Sequence, residues 1–174
     1  MRAVRKTKVD PITLSVVYLE LARRIGLKVE GVGLPGHFVV RYVPAEGEPQ
    51  LIDVFEGAVP VSREEAAKRI RENSDRELTD DDLKPTTKRA IVIRMLHNLL
   101  GLSSNDTPAA NRYLNGILAL DPASAQHRWL RAIIRYRVED RKGAAEDVAW
   151  LMEHKPEGID LHRVFELKRA LDSR

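Results

Sequence analysis

The 174-residue sequence contains no cysteine. That single absence excludes disulfides, thiolate metal sites and thiol nucleophiles together. Aromatic side chains are scarce: two Trp, four Tyr and three Phe make up 5% of the chain, so the core must rest mainly on Leu, Val, Ile and Ala. Charge is not one-sided in bulk, with 29 Lys and Arg against 26 Asp and Glu for a net +3. The basic residues are interleaved with acids instead of gathered, which speaks against nucleic acid as a partner. No apolar run approaches the ~20 residues that a membrane span needs. The basic N-terminus, MRAVRKTKVD, leads into an apolar run broken by Glu20, Arg23 and Arg24 with no small-residue cleavage site. That is not a signal-peptide pattern, and the expectation is a cytoplasmic protein. Nor is there an H-E-x-x-H, a G-x-S-x-G or a P-loop motif. Gly31 to Gly36, GVGLPG, spells G-x-G-x-x-G, but strand residues follow it where a nucleotide site needs a helix. No metal and no cofactor are expected.

The stretch Pro11 to Phe55 is the most patterned part of the chain. Leu14, Val17, Leu21 and Ile25 recur at helical spacing. Asp10 suits the N-cap, Pro11 the first helical position and Gly26 the C-terminal stop. Strands are expected at Leu27 to Val32, His37 to Val43 and Leu51 to Phe55. Gly33 to Gly36 supplies the first turn and Pro44 to Pro49 a polar hairpin loop. This order implies an α+β unit, a helix against one face of a small antiparallel sheet. Ser62 and Glu65 form a capping box for a charged helix to about Asn73. Ser74 to Lys84 reads as a polar linker or helix start. Its consecutive Asp80, Asp81 and Asp82 point apart and do not converge on one ion.

From Pro85 onward the pattern is helical and repeats. LALDP ends at Pro122 and MEHKP at Pro156, 34 residues apart, and the same offset pairs Ala110 with Ala144 and Asn98 with Ala132. Small residues that let helices approach, with a proline ending the second helix, are a tetratricopeptide-type signature, although its consensus aromatics are mostly missing. Helices are expected at Thr86 to Leu100, Pro108 to Leu120, Ser124 to Val138 and Gly143 to His154, with Ile159 to Leu171 as a cap. The division is 1–84, the α+β domain with its linker, and 85–174, an all-α tetratricopeptide-like tail. Such a tail forms a groove for a protein or peptide partner. Trp129 and Trp150 could line it, or simply pack between helices.

The candidate chemical pair is His37, directly after Pro35-Gly36, and Asp53 on the next strand. The loop length leaves Asp53 short of the residue opposite His37, so contact needs a small offset or twist. If they meet, Asp53 accepts from one imidazole nitrogen and the other can act as a base. The alternative, favoured on the local sequence, is a structural hydrogen bond that pins the sheet edge. The nucleophile is unknown. Thr13 and Ser15 are the nearby hydroxyls, and both also fit as helix-start or packing residues.

The run PITLSVVYLELARRIGL, VEGVGLPGHFVVRY and LIDVF, followed by a linker and a helical repeat tail, resembles the bacterial SirB family. Members join a transglutaminase-like core to tetratricopeptide repeats. The resemblance covers about Asp10 to Pro156. It implies a papain-like or transglutaminase-like core in which His37 and Asp53 match the family's histidine and aspartate. The cysteine would fall near Pro11 to Thr13 and is missing, as it commonly is in the family, which implies loss of cysteine-dependent activity. Family members usually carry a sizeable helical segment before PITLS, whereas ten residues precede it here. A truncated or split version, or completion by another chain, is therefore expected, with exposed apolar surface on the first helix. The expected function is non-catalytic, a transglutaminase-like and tetratricopeptide protein acting in protein–protein interaction. The alternative is an acyl-transfer enzyme or amide hydrolase using His37 and Asp53 with a nucleophile other than cysteine.

Overall fold

The computed structural model describes residues 11–103 and 105–173. The expected cap Asp10 lies outside the described residues. The chain divides into two compact units, Met1–Ile91 and Val92–Arg174.

The first unit runs α1 (Pro11–Arg24), β1 (Val29–Leu34), β2 (His37–Tyr42), β3 (Gln50–Asp53), β4 (Val59–Val61) and α2 (Arg63–Asn73), then a 3-10 turn at Asp80–Leu83. The strands form one antiparallel sheet in the order β1-β2-β3-β4. Pro35 and Gly36 alone join β1 to β2, so Leu34 faces His37 across the turn. Proline restricts its own φ and Gly36 takes φ +69, the pattern of a type II turn. A Cβ on Gly36 would also overlap the Asn73 side chain at the end of α2. The turn thus needs glycine twice, for its φ and for the closeness of α2.

Both sheet faces are covered. Val32, Leu34, Val39 and Val61 pack against Ala66 and Ile70 of α2, with Leu51, Leu78 and Leu83 closing the edges. Strand alternation turns Phe38 and Val40 to the opposite face, and both are buried. α1 packs against β1 and β2, and its buried Ile12 and Ala22 stand outside the cluster on the α2 side. It therefore covers the face of Phe38 and Val40. Each large aliphatic side chain buried this way contributes about 1.5–3 kcal/mol. The outer edge of β1 is met by Thr86, whose amide donates to Gly31 O at 2.7 Å and whose hydroxyl accepts from Gly33 N at 2.9 Å. That contact protects an otherwise open strand edge.

Two sequence expectations change here. Gly33 and Leu34, expected in the turn, belong to β1 and pair with Phe38 and His37. The sheet has four strands where three were expected. β4 is three residues long and contains Pro60, a residue confined to sheet edges because it cannot donate to a ladder. It is reached through a turn in which Gly57 and Ala58 both take positive φ. The apolar surface expected to be exposed on α1 is exposed: Leu14, Val17, Leu21 and Ile25 are 37–73% accessible, while Ile12, Ser15 and Ala22 are the buried side.

The second unit holds most of α3 (Lys88–Leu102), then α4 (Thr107–Leu120), α5 (Ala125–Arg137), α6 (Arg141–His154) and α7 (Leu161–Asp172). From α4 onward each helix packs on the next. Asp106, Asp140 and Asp160 cap α4, α6 and α7 through their carboxylates. Pro122 and Pro156 stand two residues beyond the ends of α4 and α6, where proline cannot continue a helix. Of the residues paired by the 34-residue offset, Ala110, Ala132 and Ala144 are buried, and Asn98 is exposed. Among the described residues no helix is long and apolar enough to cross a membrane.

Candidate functional site

The α2 capping box forms as the residues dictate: Glu65 N donates to Ser62 Oγ at 3.1 Å and Ser62 N donates to Glu65 Oε2 at 2.7 Å. This fixes the start of α2 and hence which of its residues meet the sheet. Ala66 and Ile70 are buried, and Arg69 lies three residues after one and one before the other, on the flank of that face.

On the sheet, Val40 pairs with Ile52. The same register, carried one step further, sets Asp53 across from Val39, two positions from His37 and on the same face. A diagonal of this kind is within reach of long side chains. The structure brings His37 and Asp53 together, with Nε2 2.8 Å from Asp53 Oδ2. Arg69 joins them, donating to the same Oδ2 at 2.6 Å. The other oxygen, Oδ1, accepts from the amides of Phe55 at 3.0 Å and Glu56 at 3.2 Å. That is an Asx turn, and it ends β3.

The Asp53 carboxylate is therefore fully buried and has four donors, about the number its lone pairs accommodate. Burial pushes its carboxyl up; the hydrogen bonds from Arg69, His37 and the Glu56 amide outweigh this and hold it below the ordinary carboxylate range. With Asp53 ionised, Nε2 of a neutral His37 carries the proton and the basic lone pair lies on Nδ1.

Thr13 is exposed on α1. Ser15 is buried, and its hydroxyl donates to Pro11 O, one turn back, at 2.9 Å. Both belong to the helix on the opposite sheet face, and among the described residues neither hydrogen-bonds to His37. The structure thus joins His37 and Asp53 and leaves both hydroxyls outside their network. Arg69 was missed in the sequence because it sits in a helix rich in charge; its spacing from Ala66 and Ile70 is the signal that finds it.

Trp129 and Trp150 both pack against the core formed by Ala132, Val148, Leu151 and Val164. Trp150 lies under the Arg128 guanidinium, 4.2 Å from the ring centroid, and stacks on His154 at 4.0 Å. A second charge network escaped the sequence reading. Asp147, buried in α6, accepts from Arg128, Arg131 and Arg135 of α5 at 2.6–3.3 Å. The three arginines recur at i, i+3 and i+7, one helix face. The residues Asp80, Asp81 and Asp82 are held apart: Asp80 pairs with Arg63, Asp81 with Lys84 and Asp82 with Arg76. Among the described residues no group of three or more His, Asp or Glu is placed to hold a metal ion.

The short sheet carries a histidine and an aspartate on neighbouring strands, with a helix preceding them. The chain belongs to the transglutaminase-like superfamily, whose family model matches residues 2–97, more than half of the sequence. It is also similar to two curated relatives, each named UPF0162 protein, from Xylella fastidiosa strain 9a5c and strain Temecula1. Each is 32% identical over 154 residues, which covers 84% of this chain and 54% of the relative. The chain thus spans about half the length of the curated relatives it matches. No solved structure matches it.

Proposed function

We propose that the protein is a non-catalytic member of its superfamily, of the SirB type, that works through protein–protein interaction, with the helices from residue 85 onward as a tetratricopeptide-type binding tail. One observation carries the non-catalytic half: the four-donor shell of Asp53. Its Asx turn ends β3, and its bonds to His37 and Arg69 tie two strands to α2. Every part of that arrangement has a structural use, and the sequence offers no thiol to complete a nucleophilic triad. The 34-residue offset between Pro122 and Pro156, each just past a helix end, supports the repeat reading. A cytoplasmic setting is part of the same proposal.

The second reading, an acyl-transfer enzyme or amide hydrolase, is supported by the 2.8 Å contact between His37 and Asp53. It needs a nucleophile such as Thr13, Ser15 or an activated water.

The full chain, immobilised and challenged with a cell extract, tests the proposal. A partner retained equally by the wild type and by His37→Ala supports an interaction role that is independent of the histidine. Retention of nothing specific, together with modification of supplied amides or thioesters, reverses the choice between the two readings.

A further inference from the structure

We infer that Ser124, His127 and His97 form a serine acyl-hydrolase site in the second unit, with esters of small apolar acids as its substrate class. The inference goes beyond the interaction reading above, whose non-catalytic half concerns the His37 pair of the first unit, and does not depend on it.

Ser124 and His127 stand at the start of α5, three residues apart and on one face. A serine at an N-cap ordinarily accepts from a backbone amide of the first turn. Ser124 makes no such bond. Its Oγ lies instead 2.6 Å from Nδ1 of His127. Nε2 of the same ring lies 2.6 Å from Nε2 of His97 on α3. A hydroxyl that donates to Nδ1 leaves the ring proton of a neutral His127 on Nε2, where His97 accepts it. That is the order of a nucleophile, a base within hydrogen-bond reach and a third group that orients the base. The first-turn amides of α5, which Ser124 leaves uncapped, are donors beside it for the oxyanion of a tetrahedral adduct. Both imidazoles also line a pocket of about 700 Å³ whose apolar wall includes Leu100, Leu130, Ile133 and Ile134, room for an acyl chain.

The chemistry balances within these groups. Oγ of Ser124 bonds to the carbonyl carbon as its proton passes to Nδ1 of His127. The adduct collapses, the bond from the acyl carbon to the leaving oxygen breaks, and the proton departs with the alcohol. Water then attacks the acyl-serine, gives a proton to Nδ1 and releases the acid, and the proton returns to Oγ. Burial and the charge of His97 lower the His127 imidazole, and Asp121 opposes them, so the base is neutral at pH 7. A neutral imidazole supports the imidazolium less than a carboxylate does, which favours esters with good leaving groups over amides.

The full chain is assayed with 4-nitrophenyl butyrate and treated with a fluorophosphonate. Turnover is expected, with the label on Ser124 by peptide mass spectrometry. Ser124→Ala and His127→Gln are each expected to lower kcat by about a hundredfold or more with circular dichroism unchanged. His97 is a positioning residue. His97→Gln is expected to lower kcat and leave KM, and to move the acid limb of the pH profile to higher pH, because the charge that lowers His127 is gone. A bond chain that only ties α3 to α5 moves neither. No label on Ser124, or turnover undiminished by Ser124→Ala, overturns the inference. Turnover that His37→Ala abolishes and Ser124→Ala does not overturns both this inference and the non-catalytic reading.

Discussion

Replacing Asp53 with Asn changes one oxygen to an N–H₂ group at constant shape, so no cavity opens and the effect is electrostatic. The carboxylate accepts from Phe55 N, Glu56 N, His37 Nε2 and Arg69. Asn can keep its carbonyl oxygen on the two amides, but its N–H₂ then points at Arg69 and His37. Hydrogen bonds to a charged group contribute about 1.5–3 kcal/mol each. Arg69 is 26% exposed and can turn to water, so its share is discounted. The expected loss is about 2–3 kcal/mol at pH 7. The loss should shrink in acid. Burial raises the Asp53 carboxyl, but the bonds from Arg69, His37 and the Glu56 amide hold its folded value below the ordinary one. Its contribution is therefore complete above the unfolded value of about 4 and disappears as pH falls through the folded value. Asp53→Asn has no such proton to bind, so the gap between the two proteins narrows below about pH 4. Urea denaturation measures it. Both tryptophans lie in the second unit, so the transition seen by circular dichroism and not by tryptophan fluorescence belongs to the first. A loss under about 1 kcal/mol at pH 7, or a gap that persists unchanged at low pH, refutes the reasoning.

Three further outcomes follow from the same geometry. Gly36→Ala should destabilise the first unit by about 1–3 kcal/mol through its positive φ and its overlap with Asn73. Adding Asn73→Ala should recover the overlap part only, as read by denaturation of both variants. Asp147→Asn leaves three partly buried guanidinium groups without their carboxylate, and tryptophan-monitored unfolding should show a loss of about 3 kcal/mol. Burial lowers the His127 imidazole, with the charge of His97 adding to this and Asp121 opposing it. The unfolded chain therefore takes up the proton first, and stability of the second unit should fall as pH drops through the unfolded value of about 6.5. His127→Gln should flatten that slope in the same fluorescence assay.

The local signals were legible where one residue type has one use. Gly33 to Gly36 marked a turn that proved to be Pro35-Gly36 alone, with Gly33 and Leu34 in β1, and Ser62 with Glu65 marked the start of α2. His37 and Asp53 were legible as a pair, and the register shows why the contact holds: the diagonal offset is bridged by an imidazole, which a shorter side chain would not do. The outward face of α1 followed from the family resemblance and not from its own residues. Periodicity locates a stripe but not the side that meets the sheet, and here the buried side is built from Ile12, Ser15 and Ala22, too small and polar to stand out. β4 was hidden by its brevity and by Pro60. Arg69 and the α5 arginines were hidden because, in the one-dimensional sequence, a partly buried, paired guanidinium looks like a solvated one. Only the partner, Asp53 or Asp147, distinguishes it.

The central claim is that the network of His37, Asp53 and Arg69 holds the fold together and does not run a reaction. Turnover of a panel of amide and thioester substrates by the full chain, beside His37→Ala, tests it most directly. The account predicts no His37-dependent turnover, together with a lower unfolding midpoint for the variant. Turnover by the wild type that His37→Ala abolishes, with the fold of the variant intact, would contradict it.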